Sequence, residues 1–217
     1  MEGINLIHGD SLQALKGYAD NHFDVAIVDP PYGIGESGGK IGVNKYRPHE
    51  VVRKEPKHKL KKWDSNIPNK EYFNELFRVS KNQIIWGANY MVENLPPSMG
   101  WVFWDKKNEG TPFSDGEFAY TSFKKGAKMY RLSSKHGTRG GKDRIHPTEK
   151  PIKLYKWILE NYTNENDLIL DTHLGSGSIA IACHYMKRNL IGYEIDKEYY
   201  DAACSRFKEQ TMQQALW

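Results

Sequence analysis

Asp29-Pro30-Pro31-Tyr32 ends the apolar run Val25-Ala26-Ile27-Val28. A short buried strand that stops there brings a carboxylate, a donor-free turn and an aromatic ring to one strand end. That set suits methylation of a nucleobase amino group. The amino nitrogen of adenine or cytosine is a poor nucleophile, because its lone pair is delocalised into the ring. Asp29 and the Pro30 carbonyl can each accept one N–H and so localise that pair. Pro30 and Pro31 lack N–H donors and stiffen the turn. Tyr32 offers a face to a base taken out of its stack, and such stacking is worth roughly 1–3 kcal/mol. Alone, the tetrapeptide fits equally well a strand ending in a Pro-Pro turn, with Asp29 as a cap and Tyr32 filling a surface groove.

A second segment bears on that choice. Leu168 to Asp171 reads as a strand, Gly175-Ser176-Gly177 as a loop, and Ile179-Ala180-Ile181-Ala182-Cys183 as a helix. Glycines there let the backbone approach a ligand at a helix N-terminus. A further strand over 189–195 carries Glu194, close to the ~20-residue spacing at which an acid of a nucleotide-binding βαβ unit meets ribose hydroxyls. The loop lacks the third glycine of the dinucleotide pattern and the Gly-Lys-Ser/Thr of triphosphate loops. The expected ligand is therefore an adenosine derivative, with S-adenosyl-L-methionine ahead of pyrophosphate or magnesium-nucleotide ligands.

With both segments in view, the chain resembles the DNA amino-methyltransferases of the beta arrangement. These are the DPPY-type adenine-N6 and cytosine-N4 DNA methylases, in which the catalytic segment precedes the cofactor-binding one. His146-Pro147-Thr148-Glu149-Lys150-Pro151 resembles the family's HPTxKP. Gly9-Asp10 and Ile84-Ile85-Trp86-Gly87-Ala88-Asn89-Tyr90 fall in the family's order, so the resemblance spans 9–196. Asp171-Thr172-His173-Leu174 stands where the family commonly has Asp-Pro-Phe, which puts His173 and Leu174 in place of a ring near the cofactor.

The resemblance implies that Asp29, Pro30, Pro31 and Tyr32 are catalytic. It further implies that Glu194 holds the ribose, Gly175, Ser176 and Gly177 admit the methionine part, and Asp171 orients its amino group. Asp10 is expected near the cofactor's adenine, with Thr148 and Lys150 near its carboxylate. Double-stranded DNA is the implied partner, in a restriction-modification setting, and a homodimer is an expectation because family members are often dimers. The family uses DPPY mainly for adenine and Ser-Pro-Pro-Tyr mainly for cytosine, so adenine N6 is the expected target and cytosine N4 the alternative.

Basic residues are unevenly spread. The net charge is only +4, yet Lys45, Arg47, Arg53, Lys54, Lys57 and Lys59 cluster between Lys40 and Lys62 against Glu50 and Glu55. A loop over about 35–66, directly after DPPY, could neutralise phosphates there and make binding salt-dependent. A solvated loop without a partner is the bland alternative. A second basic stretch includes Lys135, Arg139 and Arg144, within a polar, glycine-rich segment that has no regular period. The family carries its target-recognition region here, and this one, over about 105–145, is short. It offers few side chains for reading base edges, so a short recognition sequence is expected.

The remaining elements must position these groups. Helices are predicted over 11–16, 69–80, 151–162 and 197–210, with Tyr72, Phe73, Leu76 and Phe77 near helical spacing. Strands are predicted over 5–8, 82–87, 100–104, 117–123 and 128–132. Alternating strands and helices imply an α/β, Rossmann-like methyltransferase fold, a mostly parallel sheet with helices on both faces. The middle strands, antiparallel-looking, should extend one edge. Because the catalytic segment comes first, the order is that of a circular permutation. At 217 residues and 39% hydrophobic, the chain suits a single catalytic domain.

Cys183 and Cys204 have no CxxC spacing, so buried thiols in a reducing cytoplasm are expected, with no metal site. The start shows no basic region followed by an apolar stretch, and no run reaches the ~18 apolar residues of a membrane span. A cytoplasmic protein, nucleoid-associated when on DNA, is the expectation. Three other classes fit less well. A nuclease could use Glu55-Pro56-Lys57 but leaves the glycine loop unexplained. A zinc deaminase needs H-x-E and P-C-x-x-C, both missing. A non-catalytic, cofactor-sensing DNA-binding protein has no use for an intact DPPY.

Overall fold

The computed structural model describes residues 3–34, 64, 66–111, 114–133, 145–146 and 149–212. Eight strands form one sheet: β1 (Ile4–His8), β2 (Phe23–Val28), β3 (Ser80–Trp86), β4 (Gly100–Asp105), β5 (Gly116–Thr121), β6 (Lys128–Arg131), β7 (Leu168–Asp171) and β8 (Asn189–Glu194). Five α-helices accompany them: α1 (Ser11–Leu15), α2 (Lys70–Val79), α3 (Ile152–Tyr162), α4 (Ser178–Met186) and α5 (Lys197–Met212). The strand order is β1-β8-β7-β2-β3-β5-β4-β6.

Period-two alternation assigns the side chains to two cores. Val25 and Ile27 of β2, with Ile84 and Trp86 of β3 and Ile169 of β7, face α3, α4 and α5. Ala26 and Val28, with Ile85 and Leu170, face α1 and α2, where Leu15, Tyr72, Phe73, Leu76 and Val79 complete the second core. The expected layers, helices on both faces of a mostly parallel sheet, are therefore present. Asn69 caps α2 by accepting the Tyr72 amide, and Pro151 precedes the first turn of α3.

The middle strands extend one edge, as expected, and their antiparallel character rests on a single strand. Only β5 is reversed: it pairs antiparallel with both β3 and β4, and β6 then pairs parallel with β4. Direction follows from the path of the connections, which local hydrophobic alternation does not encode. Two short 3-10 turns, Ala88–Tyr90 and Val92–Asn94, follow β3. Strands β5 and β6 lie within 105–145. No described helix is long and apolar enough to cross a membrane.

Candidate active site

Parallel strands β1, β8, β7 and β2 deliver their carboxyl ends to one crevice, as open α/β sheets do. Beyond the end of β2, Asp29 to Tyr32 make a turn that Asp64 pins from across the fold. Asp64 Oδ1 accepts the Tyr32 amide at 2.7 Å and the Gly33 amide at 2.9 Å. The Tyr32 hydroxyl turns back and donates to Asp29 Oδ1 at 2.6 Å. Its ring lies so close to Gly87 that a Cβ there would stand 2.0 Å from Tyr32 Cε1, and Gly87 also has φ 65°. Glycine is required at 87 on both counts. Near-parallel to the Tyr32 ring, Tyr90 stacks with centroids 5.4 Å apart. The face expected to be free for a base thus has an aromatic neighbour.

Lys150 sits in the cluster around Asp29: its Nζ meets Asp29 Oδ2 at 2.5 Å, with Tyr32 Oη and Glu117 Oε2 each at 3.2 Å. It is only 3% exposed and immediately precedes Pro151, the N-cap of α3. Glu117 of β5 is shared between Lys150 and Lys106. Burial works against the Glu117 carboxylate, but the two ammonium groups outweigh it and hold its carboxyl down at about 2. For Asp29, burial dominates and Glu117 adds to it, raising its carboxyl above the usual range despite Lys150. Burial lowers Lys150, yet Asp29 and Glu117 prevail and keep it protonated. As pH falls, Asp29 is therefore the first of the two acids to take a proton.

Next to this cluster runs a cleft of about 230 Å³, lined by Asp10 to Leu12, Pro31, Asn66, Pro68, Asn69, Tyr72, Thr172, His173, Glu194 and Ile195. Pro31 joins the cleft to the β2 turn. Asp10 caps α1, accepting the Leu12 and Gln13 amides at 2.8 and 3.3 Å. Glu194 accepts the Gly175 amide on one oxygen and the Asp196 amide on the other, at 2.8 and 2.9 Å. Burial pushes its carboxyl up, against those amides. His173 takes the cleft-side place of the family's ring: burial pulls it down to about 4, so the imidazole is neutral at physiological pH. It sits edge-on to Tyr72, and the Thr172 hydroxyl lies 2.6 Å from the Tyr72 hydroxyl and 2.9 Å from His173 Nδ1. The carboxylates of Asp10 and Glu194, with neutral rings and the aliphatic Leu12 and Ile195 beside them, suit a nucleoside with a diol and a flat base.

Other residues expected at the cofactor lie behind this surface. Asp171 is buried, and burial pushes its carboxyl up to about 8, against the His173 amide it accepts at 3.0 Å. Gly177 (φ 70°) would bring a Cβ to 3.2 Å of Ala203 Cβ, so its small size serves packing on α5. Gly175 (φ 50°) lies against the His146 ring. Arg206 of α5 binds the Ser176 carbonyl and Ser178 Oγ and pairs with Glu149 at 3.0 Å, clamping the glycine loop to the segment before α3. Thr148, Lys45, Arg47, Arg53, Lys54, Lys57, Lys59, Lys135, Arg139 and Arg144 lie outside the described residues. Asp64 and Glu117 escaped the reading of the sequence, for each is a lone acid with no motif around it.

Residues 51–205 match the DNA methylase family. Among characterised relatives, the type II methyltransferase M.HpaI of Haemophilus parainfluenzae is 24% identical over 94% of this chain and 74% of its own. Type II methyltransferase M2.MboI of Moraxella bovis is 26% identical over 97% and 89%. In structure, the M1.HpyAVI–SAM complex superposes with a TM-score of 0.60 at 22% identity, covering 94% of this chain and 98% of that one. The cytosine-N4-specific PvuII DNA methyltransferase gives 0.61 at 13%, covering 98% and 91%. The structural likenesses carry the fold; the family match, over most of the chain, carries more. This chain belongs to the DNA methylase family and is an S-adenosylmethionine-dependent DNA methyltransferase.

Proposed function

We propose that this protein methylates the N6 amino group of an adenine flipped out of duplex DNA, at a specific site, as a single catalytic domain. The observation that carries the reading is the β2 turn itself: Asp29 and Tyr32 flank Pro31, which also lines the cleft suited to the cofactor. The amino group and the methyl donor can then meet across one proline. The Asp at the head of the motif favours adenine, by resemblance to the family.

The bound cofactor supplies a methyl group activated on sulfonium. Asp29 and the Pro30 carbonyl accept the two N–H bonds of the amino group and aim its lone pair along the line of attack. A nitrogen–carbon bond forms as the carbon–sulfur bond breaks, and its electron pair stays on sulfur. Asp29, raised in pKa by burial, can take the proton that the nitrogen sheds. Tyr32 stacks on the base in the layer where Tyr90 lies in this structure. Most of the acceleration comes from this positioning in a site that is organised beforehand. Glu194 holds the ribose hydroxyls, Asp10 and Ile195 flank the adenine of the cofactor, and Gly175 and Ser176 approach its methionine part. Lys45 to Lys59 and Lys135 to Arg144 contact phosphates, with recognition assigned to the segments over 35–66 and 105–145 outside β5 and β6.

Labelled methyl transfer to unmethylated duplex DNA, followed by nucleoside analysis, tests this. N6-methyl-2′-deoxyadenosine product that falls by about three orders of magnitude or more in Asp29→Ala, with cofactor binding retained, is the expected result. N4-methyl-2′-deoxycytidine would keep the mechanism and replace the base.

A further inference from the structure

In the structure both oxygens of Asp29 are already occupied. Oδ1 accepts from the Tyr32 hydroxyl at 2.6 Å and Oδ2 from Lys150 Nζ at 2.5 Å. A base amino group that donates to Asp29 must either share an oxygen with one of these donors, since each carboxylate oxygen offers about two lone-pair sites, or displace that donor. Neither can simply be abandoned, because a buried donor left without an acceptor loses the hydration it gave up on folding. One further acceptor stands within reach of both. Glu117 Oε2 is 3.4 Å from Tyr32 Oη and 3.2 Å from Lys150 Nζ, while Lys106 holds Oε1. Glu117 projects from β5, the one reversed strand, and Lys106 anchors it from just beyond β4.

We propose that Glu117 is a positioning residue that takes up the Tyr32 hydroxyl or the Lys150 ammonium when an incoming base amino group displaces it from Asp29. This rests on the methylation reading above. No bond to hydrogen breaks in the exchange; one N–H···O or O–H···O contact is traded for another. Asp29 thereby changes partners without leaving a buried donor unpaired, and the two lysines keep the pair of acids balanced throughout. The chemical step then starts from a base whose amino group already points at the methyl donor.

The test is the single-turnover rate of methyl transfer to unmethylated plasmid DNA at saturating cofactor, measured from pH 5 to 9 for the parent and Glu117→Gln. The amide keeps the shape but not the charge, so Lys150 is left with Asp29 as its only carboxylate. The rate should fall by about tenfold or more, with the apparent affinities for DNA and cofactor little changed. Asp29 is faced by Lys150, Tyr32 and Glu117, and more distantly by Asp171 of β7 and Tyr155 of α3. Removing the Glu117 charge therefore moves the acid limb of the profile to lower pH. A purely structural role would lower the unfolding midpoint and leave the limb in place. An unchanged rate, or a fall with an unmoved limb, overturns the proposal. If the amide variant does not fold, Glu117→Asp serves: a lower rate with the parental limb supports the exchange, and a parental rate overturns it. Absence of transfer by the parent would instead overturn the methylation reading itself.

Discussion

On the β1–β8–β7 side of the crevice, carboxylates are held by backbone amides, whereas on the β2–β3–β5 side they are held by side chains. Asp10 accepts from the start of α1, Asp171 from His173, and Glu194 from Gly175 and Asp196. Asp29 and Glu117 accept from Tyr32, Lys150 and Lys106. Amide donors sit where the backbone sets them, so an acid held that way keeps one geometry. Side-chain donors rotate and can be shared. On the proposed function, the amide-held side suits a cofactor that binds in one pose, and the side-chain-held side suits a base whose arrival rearranges the donors. Asp64 is the instructive exception: it lies on the base side but is amide-held, and what it fixes is the turn.

The largest effect that would break this comparison is expected at Lys150. Lys150→Met leaves the partly buried acids Asp29 and Glu117 without their shared cation, which should cost up to about 3 kcal/mol of stability. Urea unfolding reads the loss, and methyl transfer should fall to background. Stability like that of the parent would mean that the side-chain-held acids do not depend on their cation. Glu194→Gln should act on the other side alone. Cofactor affinity is expected to weaken about tenfold, or about 1.4 kcal/mol, by calorimetry, while the rate at saturating cofactor returns close to the parental value. A lasting loss of rate would show that the two sides are not separable.

The smallest effect concerns His173. Its folded pKa of about 4 lies below the ordinary 6.5, so the unfolded chain binds a proton that the folded one refuses as pH drops from about 6.5 towards 4. Stability from this group is full above that window and is lost on descending through it. His173→Phe removes the titration and keeps a ring beside Tyr72, so thermal midpoints measured from pH 8 to 4.5 should fall less steeply than in the parent. An identical slope would place the acid sensitivity elsewhere.

Legibility in the sequence divides along the same line. Asp29, Glu194 and Asp10 could be found because their neighbours are local: a strand before, a turn or helix after, and spacings set by those elements. The partner of Lys150 could not, since 121 residues separate it from Asp29. Inside a recognised motif, the contact of Lys150 with Asp29 stayed invisible for that reason. Glu117 follows a glycine on an apparently half-polar strand and carries no pattern at all. The strands and the antiparallel character of the middle ones were legible, but that β5 alone is reversed was not, because alternation reads the same in either direction. Gly177 shows the converse: a motif glycine whose nearest neighbour is Ala203 of the packed helix.

Asp64 has one more consequence, for how such a protein can diversify. By binding the amides of Tyr32 and Gly33 it returns the chain to the point it left some thirty residues earlier. The excursion between them is therefore closed at its base, like a bead on a clasp. Its length and composition can drift, or be exchanged wholesale for those of another chain, while the clasp keeps the DPPY turn in register. If recognition lies there, as proposed above, sequence preference evolves on a replaceable part, at no cost to the chemistry it serves.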